Sequence, residues 1–416
     1  MLPHRLVSDS SRVGLKMSKN AVSESERIWI PSAVTFFTFG FIYYLVTPYF
    51  TLKKFGQVPL VSAAERFISL SYFDFFYWLD LFVIFFSFIF GHGVGNTFTK
   101  ASSLYFDKVS GFRLAPKFIW LCLSFLFLFI FVNIKLMGVS FFTGYETYDI
   151  TILGPIATLV FTAALFFNFF LSRLVKGLFL ILFLVASVAL LGFGSRMFFL
   201  LGLIAIGLGV LSKKPYLFKK TKLYLVMASA FFLIIGIGVW RSGYDVDNKT
   251  MLLSIFLVEP LFTATSGSMY IENVGGRPFF RLPVDLIASI VNFVPSFIFP
   301  DKLNVINVLT FDENKFSPFG ASALIVNLYS NFGVFYPVYI LFIGIFFGFL
   351  RVKSNCSLFY RAVYFSLLPV LMFHFFREGF VTFIKITFFN GFIFPAIILS
   401  LLYFTFSKRN NKGQSV

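Results

Sequence analysis

Charged residues are scarce in this sequence, and their scarcity excludes most soluble architectures. Only 13% of the 416 residues are charged, whereas 58% are hydrophobic and 67 are phenylalanine. Soluble domains carry about 25% charged residues, so we predict an integral membrane protein. Cysteine is also nearly absent. Cys122 lies in an apolar run and Cys356 in a basic loop, which predicts no disulfide framework.

Several signatures of soluble and energy-coupled enzymes are missing. The sequence has no GxxxxGK[ST] phosphate loop, no HExxH and no Cys/His cluster. Asp245 and Asp247 match the Asp-x-Asp spacing of nucleotide-sugar metal sites, but so short a motif is common by chance, and we predict neither a metal nor a cofactor. The net charge of +17 does not indicate nucleic-acid binding, because the basic residues lie in short loops between apolar runs.

Long apolar runs dominate what remains. A run of about 20 residues crosses the roughly 30 Å hydrocarbon layer as a helix. We therefore predict an all-α polytopic integral membrane protein with about ten transmembrane helices (10–12). The predicted spans are 28–50, 73–90, 118–134, 151–171, 177–193, 197–211, 222–240, 334–350, 362–376 and 386–406.

Lysine and arginine predict the orientation of these spans. They are more frequent in the alternate short loops that share a side with the N-terminus, and such loops are normally cytoplasmic. The predicted division is a cytoplasmic tail, seven helices, a large periplasmic loop, three helices and a second cytoplasmic tail, at 1–27, 28–240, 241–333, 334–406 and 407–416.

The large loop contains two further apolar stretches. The first, 251–270, has Glu259-Pro260 at its middle. The second, 283–300, places Asp285, Ser289, Asn292 and Ser296 on one helical stripe. We predict short interfacial or re-entrant helices here. Two additional spans are the alternative.

Three arginines lie at predicted outer ends of spans, namely Arg196, Arg241 and Arg377. Each could simply reach lipid headgroups, or their planar donors could bind one phosphate group together. Glu259 and Glu378 are candidate proton acceptors. A solvent-facing Glu-Pro pair and a local ion pair with Arg377 are the respective alternatives.

The stretch 317–350, SPFGASALIVNLYSNFGVFYPVYILFIGIFFGFL, resembles a known family. Its Pro-x-Gly segment, its Tyr-x-Asn-Phe-Gly turn and its glycine-containing span are similar to those of O-antigen or oligosaccharide repeat-unit polymerases of the Wzy type. GSRMFF (194–199) and REG (377–379) match the arginine positions of that family loosely. The layout of spans around one large outer loop is also similar over most of the chain.

The resemblance implies metal-independent glycosyl transfer at the periplasmic face of the bacterial inner membrane. The expected substrates are undecaprenyl-pyrophosphate-linked oligosaccharides, with membrane lipids and a chain-length regulator protein as further candidate partners. Arg196 and Arg377 are assigned to the pyrophosphate and Glu259 or Glu378 to the acceptor hydroxyl. Substrate binding is assigned to Arg241, Arg277, Arg281 and His374, and a buried histidine with a structural role is the alternative for His374.

Two alternatives stay open at this point. O-antigen ligases share the layout but typically carry a functional histidine in the large outer loop, and here none lies between 241 and 333. A lipid-oligosaccharide flippase or other transporter would place charges near the bilayer midplane. Asp80 is the clearest residue of that kind in this chain.

Overall fold

A computed structural model describes most of the chain as helix. The described residues are 29–55, 66–98, 150–192, 196–219, 249–274, 276–294, 298–309 and 320–412, with isolated positions between them. Within these ranges there is no strand. Six helical runs are long and apolar enough to cross a membrane, so the described chain has the architecture of a helical membrane protein. The six runs are Ala33–Phe55, Phe75–Asn96, Arg173–Gly192, Leu324–Ser354, Leu358–Arg377 and Phe380–Tyr403.

The helices are numbered here in chain order. They are α1 (Ala33–Phe55), α2 (Phe75–Asn96), α3 (Ile150–Phe169), α4 (Arg173–Gly192), α5 (Met197–Lys213), α6 (Lys249–Val274), α7 (Val284–Phe293), α8 (Lys302–Leu309), α9 (Leu324–Phe332), α10 (Tyr336–Ser354), α11 (Leu358–Met372), α12 (His374–Arg377), α13 (Phe380–Ile384) and α14 (Phe394–Lys412). Helix α1 contains a π-helical turn at Ile42–Val46, and a longer π-helix, Lys385–Ile393, joins α13 to α14.

Eight of the ten predicted spans coincide with described helices. Helices α3 and α5 correspond to the predicted spans 151–171 and 197–211, although their apolar parts are shorter than the six long runs. The predicted spans 118–134 and 222–240 lie outside the described residues, so a total of ten spans stays a prediction. The helical run predicted to begin at 334 begins ten residues earlier, at Leu324.

Helix α11 is the centre of the bundle. In the run Leu358–Arg377, which α11 and α12 form together, 78% of the apolar part is buried, against 33–44% in the other five long runs. A helix buried on all sides must be apolar all round. The sequence of α11 meets this requirement beyond Arg361, whose Nε donates to the carbonyl of Ser354 at 2.9 Å near the start of the helix. The buried Tyr364 donates its hydroxyl to the carbonyl of Pro31 at 2.8 Å.

Helices α2 and α10 run parallel and pack through glycine. A Cβ added at Gly91 would overlap the Leu341 carbonyl oxygen, and one at Gly344 would overlap that of Phe88. Small residues let two membrane helices approach this closely. Spans two and eight of the predicted topology also run in the same direction, and the parallel pair agrees with that arrangement.

The two candidate arginines lie at the same end of the bundle. Near one end, the backbone N–H of Trp29 donates to Ser212, and Asp107 accepts from the N–H of Phe359. At the opposite ends of these helices lie Arg196 and Arg377, the candidate site residues. The alternation predicted from the basic loops also places these two arginines on one side.

Helix α7 is too short to be a span. At 1.5 Å per residue its ten residues cover about 15 Å, half the hydrocarbon thickness. It ends at Phe293 rather than at residue 300, because Val294 precedes Pro295 and takes an extended conformation. Asp285 and Ser289 of the predicted stripe are buried, while Ile287 and Ile290 are exposed. The polar stripe therefore faces the protein, and Ser296 lies outside the described residues.

Candidate functional site

Arg196 occupies the junction between two apolar helices. Helix α4 ends at Gly192, and the carbonyl of Arg196 accepts the N–H of Leu200 at the start of α5. A charge at the centre of a membrane helix costs about 2.5–3.5 kcal/mol, and a position between two helices avoids that cost. The Arg196 side chain is 27% exposed, so it can reach both solvent and protein partners.

Arg377 follows a break between α11 and α12. Pro369 lies inside α11 and has no N–H, which weakens the helix just before its end at Met372. Helix α12 is one turn long and ends where the N–H of Glu378 donates to the carbonyl of His374. The Arg377 side chain is also 27% exposed.

The two arginines meet at one carboxylate. The closest guanidinium nitrogen of Arg196 lies 3.4 Å from Oε2 of Glu259, and Nε of Arg377 lies 3.2 Å from Oε1. The Arg377 contact lacks hydrogen-bond alignment and is an ion pair only. Both distances exceed the 2.7–2.9 Å of strong charge-assisted hydrogen bonds. The arginines thus share Glu259 without enclosing it tightly.

Glu259 is held in place by a tyrosine from α1. The hydroxyl of Tyr44 donates to Oε1 of Glu259 at 3.3 Å. Tyr44 lies in the π-helical turn Ile42–Val46, which precedes Pro48. Proline cannot donate to the carbonyl four residues earlier, and π-turns are one way a helix adapts to this. The turn directs Tyr43 and Tyr44, although adjacent in sequence, toward the same helix α6.

Helix α6 continues through Pro260 and the Glu259 side chain is only 18% exposed, so the alternative of a helix-breaking, solvent-facing Glu-Pro pair is wrong. Pro260 nevertheless has no N–H and cannot make the usual ladder hydrogen bond to the carbonyl of Phe256. The hydroxyl of Tyr43 donates to this carbonyl at 2.8 Å. The backbone of α6 is therefore interrupted beside Glu259, and α1 compensates for the interruption.

Glu378 completes a charge-balanced cluster. One of its carboxylate oxygens lies 3.3 Å from Nη1 of Arg377, and its backbone carbonyl accepts from Asn327 at 2.9 Å. With Arg196, Arg377, Glu259 and Glu378 all ionised, the formal charge of the cluster is zero. We call these four residues the paired-arginine site.

His374 lies behind the paired-arginine site rather than in its exposed part. Its side chain is buried, and its ring meets that of Phe198 at 5.1 Å between centroids. Phe198 is the second residue of α5, so this contact fixes α12 against the helix that carries Arg196. His374 thereby has a visible packing role, and its assignment to substrate binding stays a prediction.

Arg277 belongs to a different cluster. Its Nε donates to Oδ2 of Asp80 at 3.0 Å, while Oδ1 of Asp80 accepts from the hydroxyls of Tyr329 at 2.7 Å and Tyr336 at 2.8 Å. Burial by itself would lower the pKa of Arg277, but the carboxylate of Asp80 raises it above its ordinary value. Arg277 therefore stays charged and ties the segment after α6 to α2, α9 and α10.

The Tyr-x-Asn-Phe-Gly turn organises the same region. Asn331 donates to the carboxylate of Asp285 at 2.7 Å and thereby holds α7. Gly333 has φ +57°, and a Cβ there would meet the carbonyls of Pro278 and Phe279. Asn331 and Gly333 of this motif thus hold α7 and the segment before it against the end of α9.

The remaining predicted residues take no part in these described contacts. Arg281 is exposed in the segment between α6 and α7. Arg241, Asp245 and Asp247 lie outside the described residues. Among the residues that the structure describes, no three His, Cys, Asp or Glu side chains form a metal-binding group.

Tyr44 and the two tyrosines that donate to Asp80, Tyr329 and Tyr336, were not predicted as site residues. Tyr44 is 215 positions from Glu259, and an isolated apolar run gives no signal for such a pairing. The proline at 48 was the only local indication, because it disturbs the helix that carries the tyrosine.

The described architecture is that of a helical membrane protein with a paired-arginine site at one end of its bundle. No protein-family model matches this chain, no curated protein matches it, and no solved structure matches it.

Proposed function

We propose that this protein is an O-antigen or oligosaccharide repeat-unit polymerase of the bacterial inner membrane. The observation that carries the proposal is the convergence of Arg196 and Arg377, from two separate helix junctions, on a single anionic group. Their nitrogens are close enough to contact one diphosphate. The stretch 317–350, with its resemblance to this family, gives independent support.

The proposed reaction transfers a growing glycan from undecaprenyl diphosphate to a hydroxyl of an incoming lipid-linked repeat unit. The bond between the anomeric carbon and the diphosphate oxygen breaks, and the electron pair leaves with the diphosphate. The acceptor oxygen forms the new bond, and its proton passes to a base. No oxidant, reductant or nucleotide is consumed.

The arginines suit the leaving group in this reaction. Negative charge develops on the diphosphate oxygen as the glycosidic bond breaks, and fixed donors lower the barrier because they are already oriented. Arg196 and Arg377 are each held at a helix junction that limits their movement. Glu378 and Glu259 are the carboxylates next to them and are the candidates for the base.

The test is lipopolysaccharide profiling of a strain that lacks its own copy and carries Arg196→Ala or Arg377→Ala. Losing one oriented donor reduces such rates roughly 100-fold or more, so core with a single repeat unit should replace the ladder. Arg173→Ala is the matched control, because this exposed arginine starts α4 at the end remote from Arg196. It should leave the ladder intact.

Other outcomes would contradict the proposal in different ways. A normal ladder from both arginine variants would remove the paired-arginine site from catalysis. Loss of every repeat unit, with membrane levels of the protein unchanged, would instead favour ligation or lipid-oligosaccharide flipping.

A further inference from the structure

We propose that Glu259 is an exchangeable internal counter-ion, which occupies the diphosphate position between Arg196 and Arg377 and leaves it when a diphosphate binds. Tyr44 is the positioning residue that holds the carboxylate there. The inference rests on the proposed function, because that function supplies the diphosphate ligand. If Glu259 is the counter-ion, Glu378 is the remaining candidate for the base that accepts the proton of the acceptor hydroxyl.

Charge balance is the first reason. The paired-arginine site is formally neutral because two guanidinium groups face two carboxylates. A diphosphate brings at least two negative charges, and Glu259 between the arginines would repel it. Once Glu259 has moved away, Glu378 is the one carboxylate left in the paired-arginine site as the described residues define it.

The geometry of the contacts is the second reason. Glu259 lies 3.2 Å and 3.4 Å from the two guanidinium groups, longer than an optimal charge-assisted bond. All three side chains remain partly exposed, at 27% for each arginine and 18% for Glu259. A ligand can therefore reach the arginines from solvent and compete directly for the same donors.

The backbone of α6 is the third reason. Pro260 removes a ladder hydrogen bond next to Glu259, and the freed carbonyl of Phe256 is bonded by Tyr43 instead. A helix with an interrupted ladder changes its local geometry at lower cost than a continuous one. The carboxylate is thus attached at the point of α6 where displacement is easiest.

The hydroxyl of Tyr44 holds the Glu259 carboxylate between the arginines when no diphosphate is bound. It donates to Oε1, the same oxygen that contacts Arg377. Tyr44 is buried at 1% exposure, so its ring stays fixed while the carboxylate moves. Removal of the hydroxyl should therefore weaken the resting state without disturbing either arginine.

The test measures binding of inorganic pyrophosphate to the purified full-length protein in detergent, with Glu259→Gln as the main variant. Glutamine keeps the size of the side chain and removes its charge. We expect binding roughly tenfold tighter than in the unmodified protein, because a competing charge within about 4 Å of both arginines is lost. The double variant Arg196→Ala/Arg377→Ala should lose this binding in either background.

Tyrosine variants identify the positioning role. Tyr44→Phe should tighten pyrophosphate binding by a smaller factor, roughly twofold to fivefold. It should add nothing in the Glu259→Gln background, because the hydroxyl acts through the carboxylate. Tyr364→Phe is the matched control: its buried hydroxyl bonds the Pro31 carbonyl near the other end of the bundle and should leave pyrophosphate affinity unchanged.

Unchanged or weaker pyrophosphate binding by a folded Glu259→Gln protein would overturn the inference, as would a failure of every variant to bind pyrophosphate. Thermal unfolding of each variant verifies that it is folded. A parallel assay of polymer formation from lipid-linked repeat units tests the proposed function separately. Polymer formation with unaltered pyrophosphate affinity would refute only the counter-ion, whereas tighter binding without any polymer would refute only the polymerase.

Discussion

Asp80→Asn should destabilise the protein by detaching the segment that follows α6. Asp80 uses Oδ1 for two tyrosine hydroxyls and Oδ2 for Arg277, and its side chain is only 10% exposed. Asparagine retains an oxygen that can accept from Tyr329 and Tyr336. Its NH2 group would face the guanidinium of Arg277, so two donors would meet where an ion pair had been.

The size of this effect follows from burial and from the second acid beside Arg277. Removing one partner of a buried ion pair costs about 3–5 kcal/mol. Arg277 is 19% exposed and has Asp74 as a further partner at 3.4 Å. These two features reduce the expected loss to about 2–3 kcal/mol, the range for hydrogen bonds to charged groups.

The assay is equilibrium unfolding of the purified protein in mixed micelles with an increasing fraction of dodecyl sulfate. Asp74→Asn is the matched control. Asp74 is 42% exposed and caps α2 by accepting the N–H of Tyr77, a role that asparagine fills equally well. Its cost should be under about 1 kcal/mol.

A double-mutant cycle with Arg277→Gln tests whether the lost free energy of unfolding comes from the ion pair between Asp80 and Arg277. We expect a coupling energy of about 2 kcal/mol between positions 80 and 277. The reasoning fails if Asp80→Asn stays within about 0.5 kcal/mol of the unmodified protein, or if Asp74→Asn is equally destabilising.

Two further predictions concern helix packing. Gly91→Ala should lower the free energy of unfolding by about 1–3 kcal/mol, because its methyl group would press on the backbone of α10. Gly93→Ala, on an open face of α2, should not lower it. Equal unfolding curves for the two variants would refute the importance of the glycine contact. Tyr43→Phe should cost about 1 kcal/mol or more by removing the hydroxyl that donates to the Phe256 carbonyl. Pro260→Ala should largely remove that cost by restoring the ladder N–H, and persistence of the full cost in the double variant would contradict this explanation.

The helices themselves could be predicted from local sequence. An apolar run must form its backbone hydrogen bonds internally when it enters lipid, and only a helix achieves this within one segment. The predicted spans therefore fall on described helices to within a few residues, as in α4 and α5. The larger differences occur where packing against neighbouring elements sets the ends of a helix. At Leu324, a short buried helix that contains two asparagines precedes the predicted span.

The position of Arg196 also followed from the sequence. A charge between two apolar runs is far less costly at a helix junction than inside a helix, so the runs must end there. Helix α4 ends at Gly192 and α5 begins at Met197, as that argument requires.

Which residues contact Glu259 could be learned only from the tertiary structure. Glu259 is 63 residues from Arg196 and 118 from Arg377, and the carboxylate could have faced solvent according to the sequence alone. The π-turn of α1 and the interrupted ladder of α6 bring Tyr44 to the same carboxylate. Local patterns carry no information on such contacts, because they depend on how the helices pack.

Composition and hydrophobic runs by themselves determined that this is a helical membrane protein, since the cost of exposing backbone groups to lipid acts on each segment separately. Only the packed bundle decided that Arg196 and Arg377 share Glu259 while Arg277 is held by Asp80. The sequence offers several arginines and acids that could pair. The glycine contacts and the central helix α11 bring particular helix ends together, and this packing selects the pairs.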